Sequence, residues 1–458
     1  MDSSSSSNNS DRGVKFALRA LRARNYRLFF LGQGISLIGT TMQRTAMQYL
    51  VYHLTNSAFL LGFIGFVSMV PSSFITPLAG VWLDRWNKHR VIVITQALAL
   101  IQALIMGLLA LGGVITAQNA AWVLIALGIF LGLINAFDMP ARQAFVVEMV
   151  ERREDLGNAI ALNSTMFNGS QLIGPMAAGL GIYVVGRGGG TTGEGWCFII
   201  NAVSYVAVII ALLMMRLRPR PAQPTRRRVR EELMEGARYA FGFMPTRALL
   251  INSAWTSLVG MSSMTLLPVF AITIFKGDSR ALGYLSSAGA VGALIAASYL
   301  AGRRSVLGLT RVLVVGAALF GLTLVAFAYT QALPLALVFL TIGGVGRMAQ
   351  MASTNTILQT LVDDDKRGRL MAFYAWSFMG MAPWGMLIAG CLGHVLGAPM
   401  AVWLSGIGCF LAAGVFGLGL PRMHRQIHPV YRAKGILGDI GDLTGHEQVP
   451  NPSEPEGE

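Results

Sequence analysis

Two arginines stand inside long apolar stretches of the sequence, where a charge is expensive and is functional by default. Arg44 has polar neighbours at roughly helical spacing, and Arg347 has them three and seven residues further along the chain. Residues at such spacings share one face of a helix. A guanidinium within a polar stripe can hold an anionic or hydrogen-bonding solute. The stripe residues are Gln33, Ser36, Thr40 and Gln48 with Arg44, and Gln350 and Thr354 with Arg347.

A third polar stripe lies in the fifth apolar stretch, and we expect the three stripes to line a central cavity. Its members are Ser164, Asn168 and Gln171. The alternative is that Arg44 lies in the outer half of its helix and snorkels or closes an outer gate without touching substrate. Tyr374 and Trp376 in the eleventh stretch are further cavity candidates, because such side chains can accommodate bulky amphipathic compounds. Their alternative role is packing or contact with lipid.

Asp138 and Arg142 lie near the inner end of the fourth apolar stretch, and two roles are open to them. A partly buried carboxylate can carry a proton, because desolvation disfavours its charged form. Alternatively, Asp138 and Arg142 join Asp84 in a polar lock between helices, which stabilises one conformation. We favour the lock, since its members are expected at the cytoplasmic rim. No apolar stretch carries a carboxylate at its middle, and this weakens an assignment of proton coupling.

The remaining reactive residues do not form the constellation of an enzyme. The histidines lie at the ends of apolar stretches, in loops or in the tail, and there is no HExxH motif, pair of intramembrane carboxylates or nucleophile beside a base. The three cysteines, Cys197, Cys391 and Cys409, have neither metal nor disulfide spacing. We therefore expect no enzymatic activity, no cofactor and no metal.

Helices that cross a membrane must position these residues. The chain is 54% hydrophobic and 13% charged, against roughly 25% charged in soluble globular proteins. Its apolar blocks approach or exceed the ~20 residues that cross the hydrocarbon as a helix. The run 203–213 does not alternate in polarity as a barrel strand does. Twelve spans are predicted at 28–52, 58–80, 91–113, 121–147, 157–182, 196–215, 247–274, 281–301, 312–330, 333–358, 369–395 and 399–420.

The positive charges lie mostly on one side of the predicted spans. If the N-terminus is cytoplasmic, the outer loops hold only Arg187, Lys276 and Arg280 among the 36 Lys and Arg residues. This bias follows the positive-inside rule and predicts that both termini are cytoplasmic. The net charge of +14 then requires no nucleic acid as a partner. Contacts with anionic lipid headgroups are expected instead.

The order of the spans predicts two similar halves. The charged loop 147–155 recurs in character at 361–369, and each leads into a Gly/Pro-rich helix. Two six-helix halves suit a transporter with a central site. We expect an all-α membrane protein with twelve transmembrane helices in two six-helix pseudo-symmetric bundles. Its predicted parts are a cytoplasmic N-terminal tail (1–27), an N-terminal bundle (28–215), a cytoplasmic linker with a surface helix (216–246), a C-terminal bundle (247–420) and a cytoplasmic, largely disordered tail (421–458).

The loop after the second span reads Gly80-Val81-Trp82-Leu83-Asp84-Arg85-Trp86-Asn87-Lys88-His89-Arg90. It resembles the G-x-L-a-D-r-x-x-r-r/k loop signature of the major facilitator superfamily. The stretches 21–33, 39–58 and 137–143 are similar to the branch that includes the enterobactin exporter and macrolide-efflux proteins. The resemblance implies the major facilitator fold and places Asp84 and Arg85, with Asp138 and Arg142, among the proton-coupling or gating residues. The matching loop of the second half, 302–305, lacks the acid.

The fifth span contains Gly174, Pro175 and Gly179 in a run that resembles the G-P-x-x-x-G helix motif of exporting members. Proline removes one backbone hydrogen bond and can bend a membrane helix, while glycine permits close contact with a neighbour. By analogy the motif implies export. Gln171 stands where related sequences often have arginine, so this chain departs from the pattern there.

Together these features predict a secondary active transporter of the bacterial plasma (inner) membrane. It is expected to export an amphipathic or anionic organic small molecule, siderophore-like or drug-like, by alternating access coupled to protons. Facilitated transport, uptake or flipping of a lysophospholipid are alternatives, as is a transport-dead receptor. The expected partners are the small-molecule substrate, protons and membrane lipids, with no nucleic acid and no obligate protein partner.

Overall fold

The computed structural model describes residues 19–83, 85–150, 153–186, 189–216, 229–303, 305–363 and 366–434. Throughout these ranges every regular element is helical. The first six long helices are α1 (Arg24–Thr55), α2 (Ala58–Leu83), α3 (Lys88–Leu111), α4 (Ala120–Met149), α5 (Leu156–Val185) and α6 (Thr192–Leu213). They are followed by α7 (Val229–Gly242), α8 (Met244–Val269), α9 (Ser279–Ala301), α10 (Leu309–Ala328), α11 (Leu333–Leu361), α12 (Arg367–Met379), α13 (Ala382–Val395) and α14 (Ala398–Ala433).

Ten segments of the described chain are long and apolar enough to cross a membrane, with α12 and α13 forming one such segment together. The two remaining long helices, α1 and α5, have 32 and 30 residues. At about 1.5 Å per residue they are also long enough to span the hydrocarbon. These two helices carry the polar stripes around Arg44 and Asn168, which lowers their apolarity. With them, the described residues contain the twelve spans that the sequence predicts.

The helices form two bundles, which we call the N bundle (α1–α6) and the C bundle (α8–α14). Each of these helices crosses its bundle, with α12 and α13 doing so together, so the connections fall into two sets. One set lies at the same end as the link between the bundles, and we call this the linker end. The opposite end, with the short α1–α2 and α8–α9 connections, is the far end. Residues 1–18 and 435–458 of the predicted tails, and the basic run 226–228, lie outside the described residues.

The bundles are in close contact toward the far end, where glycines let two pairs of helices approach. On α2 and α13, a Cβ added to Gly390 would lie 2.7 Å from the Cα of Gly62. On α5 and α9, a Cβ on Gly179 would lie 2.6 Å from the carbonyl oxygen of Ser279. The hydroxyls of Tyr52 on α1 and Thr273 after α8 are 2.7 Å apart. The far end is therefore closed.

The eleventh span is divided, which the sequence does not predict. The expected unbroken helix 369–395 is interrupted at Gly380 and Met381. Pro383 lies at the start of α13 and has no amide proton for a continuing helical hydrogen bond. As a result α13 packs against both α2 of the N bundle and α8 of its own bundle, whereas α12 packs against α7 and α8.

The linker end of the cavity is open. Polar side chains are exposed along the linker halves of α5 and α11, where a closed interface would bury them. They include Ser164 and Thr165 on α5 and Thr356 and Gln359 on α11. Since polar side chains are poorly solvated by lipid, these positions indicate an aqueous vestibule between the bundles.

The last span extends beyond residue 420, where the sequence predicts its end. The helix α14 continues to Ala433, through Pro421 and Pro429. Its extension is held by packing: Met423, Ile427 and Tyr431, spaced four residues apart, are buried in one core cluster at the linker end of the C bundle. Nζ of Lys434 also donates hydrogen bonds to the carbonyls of Thr360 and Val362. The start of the predicted tail is thus an ordered part of the bundle.

Candidate functional site

Arg44 lies in the far-end half of α1 and is exposed, with its guanidinium toward α5. Its guanidinium donates a hydrogen bond to Oε1 of Gln171 on α5. The two helices approach closely because Gly174 has no side chain: a Cβ there would overlap the Thr41 hydroxyl. That hydroxyl donates to the carbonyl of Ser170 at 2.8 Å. The Gly-Pro segment of α5 therefore positions Gln171 against Arg44.

Arg347 lies on α11 in the C bundle and is half-buried. Arg44 and Arg347, one from each bundle, are close enough for their positive charges to repel each other. Among the described side chains, neither arginine is paired with a carboxylate. The region between the bundles consequently carries two positive charges that no described acid neutralises.

A small cavity of 30 Å³ adjoins Arg347 within the C bundle. Its polar lining includes the hydroxyl residues Ser263 and Thr323. A space of this size accommodates one or two water molecules. Arg347 therefore borders a pocket that can hold water.

The other stripe residues divide into two groups. Gln48 and Asn168 are half-buried near the Arg44 level, and Nδ2 of Asn168 donates to the carbonyl of Ser164. Gln350 and Thr354 are buried in the C bundle, where Nε2 of Gln350 donates to the Thr256 hydroxyl at 2.7 Å. The hydroxyl of Thr354 donates back to the Gln350 carbonyl. The structure thus brings Arg44, Gln171 and Arg347 together and directs the polar groups of Gln350 and Thr354 into helix packing.

The two aromatic candidates lie on α12, outside this group. Tyr374 is buried in the core cluster at the linker end of the C bundle, and its hydroxyl donates to the carbonyl of Met351. Trp376 is exposed. Tyr374 therefore stabilises the C bundle, and only Trp376 has a side chain free to meet a solute entering from the linker end.

Asp138 is fully enclosed in the N bundle. Its carboxylate accepts hydrogen bonds from Thr95 and Gln96 on α3, both at 2.8 Å, and lies 2.6 Å from the Arg142 guanidinium. It is about 16 Å along the helix axis from Met149 at the linker end of α4. Asp138 thus lies about three turns inside the linker end of α4, and its expected place at the cytoplasmic rim of the membrane stays a prediction. Arg85 is exposed in the turn after α2, and Asp84 lies outside the described residues, so its membership of a lock stays a prediction.

Gly174, Pro175 and Gly179 make two different contacts along one helix. Gly174 packs against α1 in its own bundle, as described above. The carbonyl of Gly179 accepts a hydrogen bond from the Ser279 hydroxyl at 2.9 Å, across to α9 of the C bundle. A Cβ on Gly283 would lie 2.8 Å from the carbonyl oxygen of Pro175. The Gly-Pro segment of α5 therefore positions Gln171, the hydrogen-bond partner of Arg44. It also forms part of the contact that closes the far end.

The sequence interpretation missed a chain of amides inside the N bundle. Nε2 of Gln43 donates to Oε1 of Gln102 at 2.9 Å, and Nδ2 of Asn201 donates to Oε1 of Gln43 at 2.6 Å. All three side chains are buried. The sequence did contain a signal for this chain of hydrogen bonds, because all three amide side chains stand within predicted apolar stretches. Glu194 was also missed, because it stands at the start of the sixth span and reads as a loop residue.

Comparison with known proteins gives the same architecture. The chain is 25% identical to the staphyloferrin A transporter of Staphylococcus aureus over 394 residues, which is 85% of this chain and 95% of the relative. It is 25% identical to the multidrug efflux pump Tap of Mycolicibacterium fortuitum over 401 residues, 86% of this chain and 93% of that one.

Solved structures with the same fold include a bacterial homologue of the human lysosomal transporter Spinster, with a TM-score of 0.66 and 15% identity. The similarity covers 88% of this chain and 98% of that one. A bacterial homologue of the iron transporter ferroportin gives a TM-score of 0.65 at 17% identity, covering 86% and 98%. The transmembrane secretion effector family matches residues 16–432. The chain therefore belongs to this family of the major facilitator superfamily and is a membrane transporter of small molecules, not an enzyme.

Proposed function

We propose that this protein is a secondary active transporter of the bacterial plasma membrane that exports an amphipathic or anionic organic molecule, siderophore-like or drug-like, coupled to protons. The observation that carries the proposal is the pair Arg44 and Arg347, one from each bundle, with no described carboxylate beside them. The names of its relatives, a staphyloferrin A transporter and a multidrug efflux pump, support an organic solute.

The closure of one end supports transport by alternating access. Glycine contacts hold the far end shut, while exposed polar side chains line the vestibule at the linker end. We take the linker end as cytoplasmic, because the basic residues concentrate there. The structure is then an inward-facing state that can load a cytoplasmic solute between Arg44 and Arg347.

The charges favour an anion over a polycation. Two unneutralised guanidinium groups raise the local concentration of anions in a cleft with low-dielectric walls. Each hydrogen bond between a guanidinium and a solute carboxylate is worth about 1.5–3 kcal/mol, or roughly 10- to 150-fold in affinity. A polycationic drug would be repelled by the same groups.

Transport into everted membrane vesicles tests the proposal. Vesicles that contain the protein should accumulate a radiolabelled carboxylate siderophore when the proton gradient is present, and lose this accumulation when the gradient is collapsed. Vesicles without the protein are the control. Accumulation only by right-side-out vesicles would mean uptake, and accumulation that survives collapse would contradict proton coupling. Thermal stabilisation by the siderophore without flux would mean a receptor that does not transport.

A further inference from the structure

Glu194 is a buried acid that the proposed solute site does not use. It lies in the first turn of α6 at the far end and is 2% exposed. Its Oε1 atom is enclosed and accepts no hydrogen bond. Nδ1 of His53, on the last turn of α1, lies 3.5 Å from this oxygen. An enclosed oxygen beside an imidazole is an arrangement that can hold a proton.

Among the described side chains, the ion-pair partner of Glu194 within 4.0 Å is His53. The helices that pack against α6 are α1, α3 and α5. The far half of α3, residues 103–111, contains no titratable side chain. The titratable and charged groups at this end of the neighbouring elements are Tyr49, Tyr52 and His53 on α1, Cys197 on α6, Tyr183 on α5, and Lys276, Asp278 and Arg280 before and on α9. Arg187 lies outside the described residues.

The C-bundle charges near this site are already engaged with each other. The guanidinium of Arg280 lies 2.8 Å from Asp278 and stacks over the ring of Tyr183 at 3.6 Å. His53 is therefore the described cation-forming group that faces Glu194 directly. An isolated carboxylate is costly to bury. A histidine and a carboxylate that share one proton are neutral as a pair, so burial of Glu194 favours the state with the proton bound.

The pair adjoins the contact that closes the far end. His53 follows Tyr52, whose hydroxyl meets Thr273 of the C bundle. The ring of Tyr49, one turn deeper, is 5.4 Å from that of His53. The side chain of His53 is 45% exposed, so it can exchange protons with the solution at the far end, while Glu194 is sealed. Hydration of Glu194 through an opened far end would lower the cost of its charge.

We propose that Glu194 and His53 form a proton-binding site that controls the far-end gate. One proton from the extracellular solution enters through His53, changes the charge of the pair from −1 to zero and favours closure. Loss of the proton restores the carboxylate charge and favours opening. This rests on the proposed function, since it assigns the far end to the extracellular side. In an exporter it would couple proton entry to the return from the outward-facing state.

Distance measurements by electron spin resonance test the proposal without any solute. Spin labels would be attached to Gln118→Cys and Gln331→Cys, which are exposed far-end loop positions on opposite bundles, after the native cysteines are replaced by alanine. In liposomes the ratio of closed to open far ends should fall as the pH rises from about 5.5 to 8.5, by up to tenfold per pH unit for one proton.

Glu194→Gln removes the buried charge and leaves His53 as the titrating member of the pair, so the fall of the ratio with pH should be clearly weaker than in the parent. His428→Gln is the control: it removes an exposed histidine from the linker end of the C bundle and should keep the parent slope. If Glu194→Gln does not fold, His53→Gln, an exposed position, should still shift the midpoint by about one pH unit or more. A parent ratio independent of pH, or an unchanged pH response in either variant, overturns the proton site. None of these outcomes bears on solute export, which the vesicle assay measures separately.

Discussion

The two bundles share a six-helix plan but bury different chemistry. The N bundle encloses two carboxylates, Asp138 and Glu194, together with the amide chain centred on Gln43. The described residues of the C bundle bury hydroxyls and amides such as Gln350, but no carboxylate. Among the described residues, the buried carboxylates are thus concentrated in the N bundle. The other half supplies Arg347 and the surfaces against which the first half closes.

The test with the largest expected effect removes one carboxylate from each bundle and compares the stability of the two variants. Asp138→Ala leaves the Arg142 guanidinium without its partner, and breaking such a buried pair costs about 3–5 kcal/mol. We expect a clear fall in the melting temperature of the purified protein in detergent.

Asp363→Ala is the matched change in the C bundle. The Asp363 carboxylate is 59% exposed and lies 4.0 Å from both Lys366 and Lys434. Exposed pairs contribute about 0–1 kcal/mol, so the melting temperature should barely move. Equal shifts in the two variants would contradict the contrast between the bundles.

A test with a smaller expected effect concerns the glycine contact at the far end, to which each bundle contributes one glycine. Gly179 of the N bundle and Gly283 of the C bundle face each other across the far end. Alanine at either position meets backbone atoms at 2.6 to 2.8 Å. Overpacking costs about 1–3 kcal/mol, which corresponds to a 5- to 150-fold shift of the closed state toward opening.

Gly169→Ala is the control on the same helix, because an added Cβ there meets nothing within 4 Å. The labelled pair at Gln118 and Gln331 reports the result at constant pH. Gly179→Ala and Gly283→Ala should open the far end by similar factors, and Gly169→Ala should not. If all three behave alike, glycine packing does not hold the far end closed.

The fold was predictable because the hydrocarbon thickness fixes the length of a crossing helix. The twelve apolar stretches therefore locate the helices, including α1 and α5 despite their polar stripes. The extension of α14 also has a signal in the four-residue spacing of Met423, Ile427 and Tyr431. The break at Gly380 was harder to predict from the sequence, because glycine and proline also occur within continuous membrane helices such as α5.

The site was only partly predictable because burial depends on neighbouring helices. The pairing of Arg44 with Gln171 follows from stripes that the sequence shows. The enclosure of Glu194 arises from helices α1 and α3, which are distant in sequence, so its position at the start of a span suggested a solvated residue. Tyr374 shows the opposite case. The sequence suggested that it lines the cavity, but its hydroxyl donates a hydrogen bond to a backbone carbonyl inside its own bundle.

Equilibrium binding to purified protein tests the arginine site most directly. The probes are a carboxylate siderophore and its uncharged methyl ester, measured against Arg44→Gln, Arg347→Gln and the exposed control Arg311→Gln. We predict that each of the first two changes raises the Kd for the carboxylate about tenfold or more, with little effect on the ester and none from the control. Unchanged carboxylate affinity in both Arg44→Gln and Arg347→Gln would contradict an anion site between the bundles.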